Sequence, residues 1–171
     1  MVRKIVRYGN PVLETVCDPV TEFDTSDLHR LVDDMFETMY EASGVGLAAP
    51  QVVIPQRLTV IDCSCGEKPN EKLVLINPEI VATEGEQVGE EGCLSIPGFR
   101  EDVKRALEVT ARAQNVKGEW FEVEGDELLA RAILHENDHL NGILFLQHIS
   151  TLKRELIKRK IRKLRRKGEW D

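Results

Sequence analysis

The chain has 171 residues, of which 42% are apolar but only 5% aromatic, a composition that suits one domain around a largely aliphatic core. No apolar run approaches the ~20 residues that span a bilayer, and the basic opening MVRKIVRYGN lacks the apolar segment of a signal peptide, so a cytoplasmic protein is expected. The net charge of −7 hides an asymmetry, because residues 151–171 hold ten Lys/Arg and three Asp/Glu while the rest holds 13 and 27. An acidic body with a basic tail points to two separate jobs.

The first predicted helix is DLHRLVDDMFETMYEAS, where Leu28, Leu31, Val32, Met35 and Met39 fall at helical spacing. Ser26 or Asp27 can cap its start and Gly44 can end it. GVGLAAPQ (44–51) reads as a loop whose backbone approaches something closely. RLTVIDC, KLVLINPEIV and ALEVTARAQN read as strands. EQVGEEGCLSIPGFRED, between the last two, reads as a connection rich in glycine and turn residues, and VKGEWFEVEG as a hairpin after the third strand. A second helix begins near Asp126 and can end at Gly142, with Leu128, Leu129, Ala132, Ile133 and Leu140 available to bury it. A final helix covers about 152–167. Its stripe of Leu152, Leu156, Ile157, Ile161 and Leu164 is narrow and otherwise surrounded by basic residues. Strands in the middle and helices at the ends predict an α+β fold. Its mainly antiparallel sheet packs around the second helix, with one helix N-terminal and one C-terminal. Residues 1–150 would form the catalytic unit, and 151–171 a basic helix of the same domain.

The chemistry is concentrated in AILHENDHLNG (132–142). His135 and His139 lie four apart on one helix face with Glu136 beside the first, the H-E-x-x-H arrangement of metallohydrolases. A catalytic metal needs a third protein ligand and an open position. The continuation H-x-x-G-x-x-H fails, because Phe145 stands where the next histidine belongs and His148 comes too late. Glu155 lies on the basic tail helix, where a Lys or Arg partner is close. Cys93, in the Gly-flanked EEGCLS, is the better candidate, since a thiolate with two imidazoles suits a borderline or soft metal. A free buried cysteine is the alternative that spacing leaves open. The other cysteines, Cys17, Cys63 and Cys65, show no disulfide framework, and the CSC pair has no second pair with which to hold a metal.

GVGLAAPQ, EGCLS and HENDH, in this order and with these gaps, resemble the three motifs of peptide deformylases. The likeness runs from the N-terminal segment through Asn77 and Pro78 to the end of the second helix, and the helical C-terminus looks like the type 1 bacterial form. The resemblance implies metal-dependent hydrolysis of the formyl group from N-terminal formyl-methionine of nascent polypeptides, with release of formate. It assigns Cys93, His135 and His139 as ligands of one divalent ion, Fe(II) first, with Zn, Ni or Co able to substitute. It makes Glu136 the acid–base and the Gln51 amide and Leu94 N–H the oxyanion donors. Gly44, Val45 and Gly46 would border the peptide, with Val45, Leu94 and Leu128 around the methionine side chain and Arg100 near the peptide backbone. Glu91 and Arg105 match a pair that braces the Cys93 segment.

Two positions depart from the family pattern. Gly89 stands where a larger apolar residue is common, which would widen the pocket rim. Arg131, one turn before His135, would either change the pocket's polarity or extend to solvent. The tail could pack on the body or contact ribosomal RNA through phosphates, and a monomer is the simplest assembly. The rival readings are an H-E-x-x-H metallopeptidase and a non-catalytic ribosome-associated relative.

Overall fold

A computed structural model describes residues 1–171. Three α-helices and seven strands follow a short N-terminal arm: α1 (Ser26–Glu41), β1 (Gly46–Ala48), β2 (Leu58–Ile61), β3 (Leu73–Glu84), β4 (Gln87–Gly92), β5 (Arg100–Arg105), β6 (Glu108–Gln114), β7 (Trp120–Asp126), α2 (Glu127–Leu140) and α3 (Thr151–Arg166). Five strands form an antiparallel sheet in the order β1-β2-β3-β6-β7, and β4 and β5 form a separate hairpin. The architecture is the expected α+β arrangement. No helix is long and apolar enough to cross a membrane.

The sheet works because its two faces carry different apolar sets. On one face Leu58, Val60 and Ile76 meet Leu28, Leu31, Val32, Met35 and Met39 of α1. On the other, Ile61, Leu75 and Val109 meet Ala130, Ala132 and Ile133 of α2. Ala111 and Ala113 lie on this second face, and their small side chains let α2 sit low on the strands. Each fully buried Met or Leu contributes about 1.5–3 kcal/mol to this packing. A third cluster joins Leu13, Ile96, Val103 and Phe145 to Ile157, Ile161 and Trp170, tying α3 to the hairpin and the N-terminal arm.

Several local expectations need correction. Thr25, not Ser26 or Asp27, caps α1, its hydroxyl accepting from Leu28 N at 3.1 Å. The helix stops at Glu41, and the left-handed residue of its exit turn is Ser43 rather than Gly44. GVGLAAPQ is not a loop: Gly46–Ala48 pair with β2 and Ala49–Val52 form a 3-10 turn. The glycine-rich stretch before Cys93 is strand β4, paired from Gln87 to Gly92 with Arg105 to Arg100. Polar alternation without bulky residues concealed it.

Leu128, expected to help bury α2, is 50% exposed, and Leu152 and Leu156 of the tail stripe are also exposed. Only Ile157 and Ile161 of that stripe are buried, because one edge of α3, not its whole apolar face, meets the body. The hairpin after the third strand is found as β6–β7, its turn held by Asn115 Oδ1, which accepts from Lys117 N and Glu119 N. Gly142 ends α2 in a left-handed conformation, and a Cβ there would stand 2.7 Å from the Glu14 backbone. That packing accounts for the glycine that completes the first part of a protease-like signature.

Candidate metal centre

Helix α2 and the β4–β5 hairpin meet at one point, where the Cys93 Sγ and the two Nε2 atoms of His135 and His139 converge. The His nitrogens are 3.2 Å apart, and Sγ is 3.3 Å from His139 Nε2. They are the one Cys/His/Asp/Glu group in the chain whose ligand atoms cluster in this way, all within 4.8 Å of one another. A tetrahedral ion with bonds of about 2.0–2.3 Å has ligand–ligand edges of about 3.3–3.6 Å, so the three donors fit one. Two facing imidazoles and a thiol offer more lone pairs than protons, which is the donor chemistry of a cation site. Burial works against charge on His135, but Cys93 and Glu91 outweigh it and hold that imidazole well above its ordinary pKa. Burial and then His135 keep His139 well below. The two imidazoles thus titrate in opposite directions.

Glu91 orients the first ligand. Its Oε2 accepts from His135 Nδ1 at 2.8 Å, which leaves Nε2 free to point at the centre. Arg105 grips the same carboxylate through Nε (3.1 Å) and Nη2 (2.8 Å), and Arg131 Nη1 adds a third contact at 3.0 Å. Burial would raise the Glu91 pKa, but His135 and Arg105 hold it far below the usual carboxylate range. The Glu91–Arg105 pair therefore does more than brace the Cys93 segment, and neither residue is a surface charge. Arg131 does not reach solvent either; it is turned inward, its Nη1 also donating to Val103 O at 2.9 Å.

Glu136 is the opposite kind of carboxyl. Burial pushes its pKa up to about 7, and its Oε2 is buried without a partner. Its Oε1 lies against Gly46, where a Cβ would stand 2.5 Å away. Strand β1 can approach the acid only because that position is glycine. Gln51 closes the wall: its Oε1 accepts from Ala48 N at 2.9 Å, and its Nε2 donates to Ser95 Oγ at 3.1 Å and lies 3.7 Å from Cys93 Sγ. Ser95 is a member of this cluster that the sequence did not single out, and its position two residues after Cys93 was the available signal.

These groups line a cavity of about 670 Å³ that includes Gly44, Val45, Gly46, Gln51, Glu91, Cys93, Leu94, Arg100, Leu128, Arg131, His135 and Glu136. Every predicted site residue borders it except His139, which lies behind and is 1% exposed. Arg100 stands at the rim, 59% exposed, with Glu90 3.5 Å away. The candidates for a peptidase's third ligand lie elsewhere. Phe145 is buried in the α3 cluster, His148 binds Asp138 at 2.8 Å, and Glu155 is 3.6 Å from Lys158. Cys63 is half-buried and Cys65 exposed, both away from the centre.

A family model described as polypeptide deformylase matches residues 2–155. A peptide deformylase from Acidobacterium capsulatum is 62% identical over 170 residues, 99% of each chain. The crystal structure of a peptide deformylase from Legionella pneumophila covers 98% of each chain with a TM-score of 0.91 at 46% identity. That of the peptide deformylase from Thermus thermophilus has a TM-score of 0.85 at 42% identity, covering 95% of this chain and 94% of its own.

Proposed function

The chain belongs to the polypeptide deformylase family, metal-dependent hydrolases that remove the N-formyl group of nascent peptides, and from that premise we propose the role of each residue at its centre. Cys93, His135 and His139 would hold the metal, Fe(II) in the working enzyme, with Zn, Ni or Co able to take its place. When bound, the ion supplies Lewis acidity, making water more acidic and polarising a carbonyl.

Glu136 takes the proton of the attacking water on its carboxylate and delivers it to the departing peptide nitrogen. A pKa of about 7 suits both halves of that transfer at neutral pH. The Gln51 amide and the Leu94 N–H donate to the formyl oxygen as charge develops there. For Gln51 this means exchanging its Ser95 contact for the substrate. Gly44, Val45 and Gly46 border the peptide, whose backbone runs beside β1 as an added strand. Val45, Leu94 and Leu128 surround the methionine side chain, and Arg100 at the rim meets the peptide beyond it.

Residues 1–150 are the catalytic unit, and 151–171 belong to the same domain through Ile157, Ile161 and Trp170. The basic face of α3 is the surface offered to ribosomal RNA, and the protein works in the cytoplasm as a monomer.

The observation that carries this reading is the convergence of Cys93, His135 and His139 beside a buried carboxyl with an unpartnered oxygen. Formate release from a formyl-methionyl tripeptide by anaerobically Fe(II)-loaded protein tests it. Loss of release in Glu136→Ala and loss of metal in Cys93→Ala are expected. Absence of formate with Fe, Ni and Zn each in the site would overturn it.

A further inference from the structure

The two donors proposed for the formyl oxygen belong to separate segments. The Gln51 amide rises from the 3-10 turn after β1, and the Leu94 N–H from the turn after β4. One side-chain bond joins the segments, Gln51 Nε2 to Ser95 Oγ at 3.1 Å, and the proposed reaction gives that bond up to the substrate. The N-terminal arm supplies a second connection with its backbone. Val6 N donates to Gln51 O at 2.9 Å and Tyr8 N donates to Ser95 O at 2.8 Å. Gln51 and Ser95 are both buried, where a hydrogen bond is stronger than in water. The arm is itself held from outside the site. Arg3 N donates to Thr38 Oγ1 of α1 at 2.8 Å, and Tyr8 O accepts from Trp170 Nε1 at 2.9 Å and Arg165 Nη2 at 2.8 Å.

We infer that Val6 and Tyr8 are positioning residues of the reaction, their backbone N–H groups forming a strap that fixes the Gln51 and Leu94 donors relative to each other. The inference rests on the roles proposed above for those two donors. Neither arm residue lines the cavity, so both act only through Gln51 and Ser95. Stabilisation of a developing oxyanion demands donor placement within about 0.5 Å. It is also stronger in the transition state than in the ground state, so a loosened strap lowers kcat and leaves KM in place.

Tyr8→Pro removes one strap bond cleanly. Arg7 to Asn10 form a turn closed by Asn10 N on Arg7 O at 3.1 Å, with Gly9 at φ +110°. That is the type II pattern, whose second place, held by Tyr8, suits proline. Tyr8→Ala loses the same ring but keeps the N–H. With a formyl-methionyl tripeptide, kcat per bound metal should be about tenfold lower in Tyr8→Pro than in Tyr8→Ala, at equal KM. The pH profile should keep its shape, since Glu136 is untouched. Amide exchange at Ile96, whose N–H donates to Cys93 O across the Leu94 turn at 2.9 Å, should be about tenfold faster in the proline variant. Val6→Pro against Val6→Ala repeats the comparison at the other end of the strap and replaces it where Tyr8→Pro does not fold. Equal kcat within each pair overturns the inference, even where the proline variants are less stable, for that is the signature of a purely structural arm. So does exchange of the wild-type Val6 and Tyr8 amides at the rate of an unstructured chain. Absence of formate from the wild-type protein overturns instead the reading of the centre on which the strap depends.

Discussion

Glu91 and Glu136 are each 4% exposed and both adjoin His135, one through a hydrogen bond and one in sequence, yet they titrate in opposite directions. Both lose hydration, which by itself raises a carboxyl pKa. Glu91 recovers through two guanidiniums and an imidazole N–H, and so remains a carboxylate. Glu136 has one oxygen against Gly46 and the other buried without a hydrogen-bond partner. Burial alone therefore does not set the state of a carboxyl. What distinguishes Glu136, the acid–base of the proposed reaction, is a buried oxygen for which the fold supplies no partner, beside a neighbour for which it supplies several.

The sharpest way to separate the two is to neutralise each. Glu136→Gln should lower kcat by about 10²–10⁴ while metal content stays near wild type and stability does not fall. Formate release, denaturant melts and metal analysis on one preparation check this. Glu91→Ala should do the reverse in kind. It strands two buried guanidiniums, which costs about 3–5 kcal/mol of stability. It also frees the His135 ring, which lowers metal affinity about 10–100-fold. Equal stability losses in the two variants would break the distinction.

The distinction was half visible in the sequence. The three donors and Glu136 were legible because a helix fixes the i, i+4 geometry of His135 and His139, and motif order brought in Cys93. Helices α1 and α2 were legible from their apolar period, but their placement on opposite faces of the sheet was not. Strand β4 was not, because a run of Gly, Glu and Gln carries no periodic apolar signal. Glu91 sits on that strand, so its bond to His135 could not be seen. Arg131 was visible as a residue but not as a direction, since a long cationic side chain on a helix can turn inward or outward. Only the position of Glu91 and Val103 O decides that it turns inward.

The opposite titrations also predict opposite pH slopes in the metal-free protein. The Glu136 pKa is raised from 4.5 to about 7, so stability held by its neutral form is complete below about pH 4 and lost as pH rises through 7. The loss amounts to about 3 kcal/mol when complete. The Glu91 value is depressed, so its contribution is present above the ordinary carboxylate pKa and disappears as pH falls toward the folded value. Unfolding free energies across the acid and neutral range should show both limbs. Glu136→Gln should remove the decline that ends near pH 7 and leave both the acid limb and the decline at higher pH that the raised His135 pKa adds; Glu91→Gln should reduce the acid limb, to which Asp138 also contributes. A decline ending near pH 7 that survives Glu136→Gln unchanged would assign it to another group.

Asp138 offers the smallest and most discriminating change. It accepts from Arg105 Nη1 at 2.7 Å and from His148 at 2.8 Å, and these contacts hold its pKa down against its own desolvation. It resembles Glu91 in partners but is 19% exposed, so water can replace what a substitution removes. Asp138→Asn keeps an oxygen that Arg105 can reach and leaves both Arg105–Glu91 bonds in place. The expected cost is about 1 kcal/mol in unfolding free energy, with kcat unchanged. A cost equal to that of Glu91→Ala would mean that the acids and arginines around His135 act as one cooperative unit. Glu91 would then lose its separate standing, and the contrast with Glu136 would be between a single acid and a network.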